Sequence, residues 1–259
     1  MASVAQHARA LREGLWIGAD RYRERLILDA SEPAFADAWA KAEQIAGYTT
    51  RAELSLLYHG VLVAERPGAV VEIGSYLGRS TVVLASALAA RGGGQVVAVD
   101  PHTRALGIPD LPEHDTRAEF EANVERAGVA GHVRLMHMTS VEAAAQWGGE
   151  PISMHFVDGW HSREAVIEDV EHWSRHLRPA ALVVFDDYMA YEDVRLGVQD
   201  LHDRGLLRRE GVVVGKMAAF GPPEILQRLP IPPGGRLIGR MIGKLPPAAR
   251  ERAIRLGAR

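Results

Sequence analysis

Apolar positions recur at helical spacing over residues 34–45 and 54–62, and nothing before residue 67 reads as a strand. Residues 1–66 are therefore expected to form an N-terminal helical cap. The pattern then changes. Short β-branched, apolar runs at 69–73, 95–99, 132–136, 153–157 and 181–185 predict strands, and the stretches between them, at 80–90, 117–127, 141–147 and 163–176, predict helices. A further helix is expected over 192–204 and one last strand over 211–220. Strands alternating with helices imply an α/β fold, a parallel sheet with helices on both faces and ligand sites at the carboxyl ends of the strands. Pro222, Pro223, Pro230, Pro232 and Pro233 then mark an irregular linker. This gives a catalytic domain over 67–220 and a C-terminal extension over 221–259.

Composition narrows the chemistry. At 259 residues, 47% hydrophobic and 24% charged, the chain is expected to fold as a globular, cytoplasmic protein. It has neither a signal-peptide core nor an apolar run of the roughly 20 residues that a spanning helix needs. The absence of cysteine excludes disulfides and thiolate metal sites, leaving any metal to oxygen or histidine ligands. The net charge of −3 is unevenly spread, since residues 221–259 carry eight Lys/Arg against two Glu. An acidic body is a poor match for nucleic acid, so a small-molecule substrate is expected.

The acids and glycines fall where the fold places ligands. In Glu72-Ile73-Gly74-Ser75-Tyr76-Leu77-Gly78-Arg79-Ser80, glycines occupy a strand-to-helix turn, where a missing side chain lets ligand and backbone approach. The spacing is not that of the dinucleotide fingerprint, and no lysine stands where a phosphate-binding loop needs one. Glu72 before the turn and Asp100 at the end of the next strand could flank a crevice for an ammonium group and a ribose diol. The pattern resembles the first two motifs of class I S-adenosylmethionine-dependent methyltransferases, which implies a Rossmann-like sheet. The resemblance also implies a cofactor site formed by Glu72, Gly74, Ser75, Tyr76, Gly78, Ser80, Asp100, Ser140 and Asp158. In it the glycine turn lies under the methionine part, Asp100 binds the ribose and Ser140 lies beside the adenine. A glycine turn of an unrelated nucleotide-binding fold is the competing reading.

Asp158 follows one apolar strand, in Val157-Asp158-Gly159-Trp160-His161, and Asp186-Asp187-Tyr188 follows the next. Carboxylates converging at adjoining strand ends repel one another unless they are neutralised, and a hard divalent cation such as Mg²⁺ resolves that conflict. Strand-end capping is the plainer alternative. The two stretches resemble metal-dependent O-methyltransferases, of catechol and of macrocin or mycinamicin sugar type, over residues 69–220. The resemblance implies that Asp158, Asp186 and Asp187 hold the metal, and it puts His161 where catechol-type enzymes carry a lysine base. Either His161 or Asp158 could take the acceptor's proton, and a hydrogen-bonded structural histidine is the other reading of His161.

With only 6% aromatic residues and His161 in place of the lysine, a sugar or glycoside acceptor is expected ahead of a catechol. A mycobacterial methylmannose-polysaccharide methyltransferase is one form of this reading. A homodimer is expected, with the cap and the loop 103–116 closing over the acceptor. A nicotinamide-dependent oxidoreductase and a non-catalytic binding protein are the alternatives from other classes. The missing dinucleotide fingerprint opposes the first, and the intact aspartates oppose the second. The tail, with Gly235, Gly239 and Gly243 beside Arg236, Arg240 and Lys244, reads as a packed terminal extension or a short amphipathic helix.

Overall fold

A computed structural model describes residues 33–103 and 115–231 of the chain. Most of the expected 103–116 loop and the glycine-basic repeat of the tail lie outside the described residues, as do residues 1–32.

The expected alternation is present. Helix α1 (33–42) and α2 (Arg51–Val63) precede β1 (Ala69–Ile73), α3 (Arg79–Ala90), β2 (Val96–Val99) and α4 (Arg117–Arg126). There follow β3 (Val133–Met136), α5 (Ser140–Ala145), β4 (Ile152–Val157), α6 (Arg163–Trp173), β5 (Leu177–Phe185) and α7 (Glu192–Asp203). The chain then forms β6 (Gly211–Val214), β7 (Met217–Phe220) and the short α8 (Pro223–Leu226). The single strand expected over 211–220 is thus a hairpin. Gly215, at φ +56°, and Lys216 form its turn, folding β7 back between β5 and β6. The sheet among the described residues has seven strands in the order β3-β2-β1-β4-β5-β7-β6, with β7 antiparallel to both neighbours and the other pairings parallel.

Alternation along the strands divides the apolar side chains between two layers. Val70, Ala98, Phe156 and Val184 face α2, α3 and α8, whereas Val71, Val97, Val157 and Val183 face α5, α6 and α7. β1 and β4 are buried along their whole length, as inner parallel strands are, which explains their unbroken apolar runs. Phe35, Ala38, Ala42 and Ile45 around α1, and Ile225, Leu226, Leu229 and Ile231 after β7, belong to the same cluster as Phe156 and Val184. Apolar packing thus continues across both residue 66 and residue 220. No helix of the described residues is long and apolar enough to cross a membrane.

Candidate active site

The carboxyl ends of β1, β2, β4 and β5 carry the acids singled out in the sequence. At the end of β1, Gly74 takes φ +81°, and a Cβ there would overlap the Asp158 carbonyl oxygen. Only glycine permits this approach between the β1 and β4 ends. Gly78, at φ +89°, is the N-cap of α3, and its amide donates to the Ser75 carbonyl at 2.8 Å. Asp100 closes the turn from the β2 side. Its Oδ2 accepts the backbone amides of Ser75 and Tyr76 at 2.8 and 2.9 Å, and its Oδ1 accepts that of His102 at 2.7 Å. Oδ2 thus uses both of its lone pairs on the turn, which orients Asp100, and Oδ1 keeps one for a diol hydroxyl.

Glu72 lies beneath the turn. It is fully buried and its Oε2 accepts the Thr81 hydroxyl at 2.5 Å, which anchors the first turn of α3 to β1. Ser80 is buried beside it. Burial pushes the Glu72 carboxyl up to about 7, against hydrogen bonds from Ser80 and Thr81 that act the other way. Ser140 opens α5 behind the Thr139–Glu142 capping box, and its hydroxyl accepts from Trp173 Nε1 at 3.0 Å. Its contacts therefore reach towards α6.

Asp158 and Asp186 continue β4 and β5, tied to the preceding strands by Asp158 N–H to Ile73 O at 2.8 Å and Asp186 N–H to Val157 O at 3.0 Å. The chain turns at Asp187, whose φ of +55° returns its carboxylate to the same pocket. One ligand atom each from Asp158, His161 and Asp187 lies within 4.8 Å of the others, and His161 Nε2 stands 2.9 Å from Asp187 Oδ2. The His161 ring stacks on Tyr191, with centroids 4.4 Å apart and planes at 19°. Asp186 is turned elsewhere. Its Oδ2 accepts the Lys216 ammonium at 2.6 Å, while its Oδ1 is buried without a hydrogen-bond partner among the described residues. Lys216 also donates to Asp187 Oδ1 at 3.0 Å.

The electrostatics are those of crowded carboxylates. Loss of water and the neighbouring Asp186 charge hold the Asp158 carboxyl well above its ordinary range. Burial also pushes Asp187 up, but the hydrogen bond from His161 and the Lys216 charge outweigh it and leave that carboxyl low. Burial pulls the Lys216 ammonium down, and the two aspartates more than reverse this. An orphaned buried oxygen on Asp186, next to a close group of oxygen and imidazole donors, fits a small divalent cation. Asp158 and Asp187 could hold it, and His161 lies close enough to be a third ligand or a proton acceptor.

Sequence reasoning did not single out Lys216 or Glu53, which supports it. Glu53 is 1% exposed; its Oε1 accepts the Lys216 amide at 2.7 Å and its Oε2 the Thr50 amide at 2.7 Å. A charged residue after glycine inside an apolar run was the available signal for Lys216. Of the aromatic residues near the site, Tyr188 packs inside the core against Phe220, whereas Trp160 and Tyr191 are about half exposed.

A seven-stranded sheet with one reversed strand, a glycine turn closed by an acid on the next strand, and acids at the ends of the two strands beyond make up a Rossmann-like fold of the kind seen in solved methyltransferases. Within it, residues 71–188 match the family model of the methyltransferase domain. Solved structures share the fold at low identity. The O-methyltransferase from Bacillus cereus, crystallised in complex with SAH, is 17% identical with a TM-score of 0.52, the match covering 79% of this chain and 97% of that one. The O-methyltransferase TomG of Streptomyces achromogenes, involved in tomaymycin synthesis and solved with SAM, is 20% identical with a TM-score of 0.50, covering 79% and 96%. The calicheamicin methyltransferase CalS11 is 14% identical with a TM-score of 0.52, covering 66% and 77%.

Proposed function

We propose that the protein transfers the methyl group of S-adenosylmethionine to a hydroxyl of a sugar or glycoside, with a divalent cation, Mg²⁺, at Asp158, Asp186 and Asp187 and with His161 as the proton acceptor. One observation carries the reading: the Gly74 turn of the cofactor crevice packs directly against the Asp158 carbonyl, so the donor and cation sites share a wall. The bound SAM and SAH of the similar structures support the cofactor. The acceptor class rests on the Asp-Gly-x-His and Asp-Asp-Tyr stretches and on the calicheamicin methyltransferase of the same fold.

S-adenosylmethionine supplies an electrophilic methyl, and a divalent cation makes deprotonation of a nearby hydroxyl cheaper. The chain itself does the positioning. Asp100 and the amides of Ser75 and Tyr76 hold the glycine turn in shape for the cofactor. Asp187 fixes one nitrogen of His161 and Tyr191 covers a face of its ring, so the imidazole is pre-oriented to take the acceptor's proton. Displacement at the methyl then depends on alignment, to which ordered groups contribute several orders of magnitude.

An acceptor screen with labelled S-adenosylmethionine over sugars, glycosides and catechols, with and without EDTA, tests this. Label is expected in a sugar or glycoside and only without chelator. Transfer undiminished by EDTA would remove the cation from the reading, and transfer to catechols alone would remove the sugar.

A further inference from the structure

Lys216 is an unexpected occupant of a cluster built to receive a cation. It enters from the β6–β7 turn, on the opposite side of β5 from His161, and its ammonium reaches Asp186 at 2.6 Å and Asp187 at 3.0 Å. Its placement is fixed by backbone. Gly215 at φ +56° makes the turn, a Cβ there would overlap the Glu53 carboxylate, and that carboxylate holds the Lys216 amide. The side chain is therefore delivered to the aspartates by the hairpin and by α2, and is itself only 23% exposed.

With a divalent cation bound and Asp158, Asp186 and Asp187 all ionised around it, the three carboxylates would carry a formal charge of −3, and Lys216 would reduce this to −2, the charge that the cation neutralises. Two cations a few ångströms apart in a partly buried site repel strongly, because little water screens them. They also compete for the same two carboxylates, Asp186 and Asp187.

We propose that Lys216 is a built-in monovalent competitor that sets the divalent-cation affinity of this site, holding it below what the three aspartates alone would give. The idea rests on the cation reading above. With Lys216 at Asp186, the divalent ion is left to Asp158 and Asp187; drawing Lys216 back adds Asp186 to the set. The hairpin turn thus governs how tightly the ion is held.

The test is direct Mn²⁺ binding, followed by the loss of the free-ion electron paramagnetic resonance signal, on the full chain without cofactor. Three variants are compared with the parent: Lys216→Met, Lys216→Gln and Lys216→Arg. The Glu53 bond uses the Lys216 backbone amide, so all three keep it, and circular dichroism checks the fold. Met and Gln are expected to tighten Mn²⁺ binding at least tenfold, with Arg within about threefold of the parent. If both neutral variants bind as the parent does, or more weakly, competition by Lys216 is wrong while the cation site stands. If neither the parent nor any variant binds Mn²⁺, the cation reading and this inference fall together.

Discussion

Glu53 and Lys216 lie 163 positions apart and meet through a 2.7 Å hydrogen bond from the Lys216 amide to the Glu53 carboxylate. The other Glu53 oxygen closes the capping box of α2 with Thr50. One buried side chain therefore terminates a helix and fixes the hairpin that presents Lys216. Glu53→Ala would leave two N–H groups without acceptors, a loss of about 2–4 kcal/mol at roughly 1–2 for each. Thermal unfolding should show a fall of several degrees, with Glu53→Gln recovering part of it. A Glu53→Ala melting point equal to that of the parent would show that water satisfies both amides.

Gly74→Ala is expected to damage cofactor and cation sites together. The added methyl would overlap the Asp158 carbonyl oxygen, and φ +81° is unfavourable for any L side chain. Calorimetry should find S-adenosylhomocysteine binding weakened at least tenfold and Mn²⁺ binding weakened with it. A variant that retained both affinities would show that the two strand ends can separate without consequence.

His161→Ala should lower kcat by about 10²- to 10⁴-fold, the usual contribution of a positioned proton acceptor, and change S-adenosylhomocysteine affinity by less than about threefold. Tyr191→Ala, which uncovers the ring without removing it, should give a smaller fall in kcat in the same direction. An unchanged rate in His161→Ala would pass the role of base to Asp158.

His155 gives a stability prediction away from the site. It is fully buried in β4, neither ring nitrogen has a hydrogen-bond partner among the described residues, and burial lowers its pKa from 6.5 to about 3. Between those values the unfolded chain binds a proton that the folded chain does not, so stability falls as pH drops from about 6.5 towards 3. At pH 4.5 the loss is about 2–3 kcal/mol. His155→Leu should remove it. Urea titrations of the two proteins should diverge increasingly from pH 7 to pH 5, and parallel curves would show that the imidazole is already charged in the fold.

The sheet was legible because inner parallel strands must be apolar on both faces, which leaves continuous runs such as Ala69–Ile73. The carboxylates were legible because each ends such a run. The 211–220 hairpin was hidden for the same reason. Its two strands are apolar throughout, and a two-residue turn interrupts the run only at Gly215 and Lys216. The partners of Lys216 lie 29 and 30 residues away on another strand end, a pairing set by the sheet order and not by local spacing. His161 was readable from its distance to Asp158, but its stacking on Tyr191 depends on how the chain turns after Asp187.

Phe35, Ala38, Ala42 and Ile45 contribute to the same apolar interior as the central strands, and α2 is bonded to the far hairpin through Glu53. The described part of the N-terminal segment cannot swing open as a rigid door without exposing that interior. Heating should accordingly melt helices α1 and α2 and the sheet as one calorimetric unit.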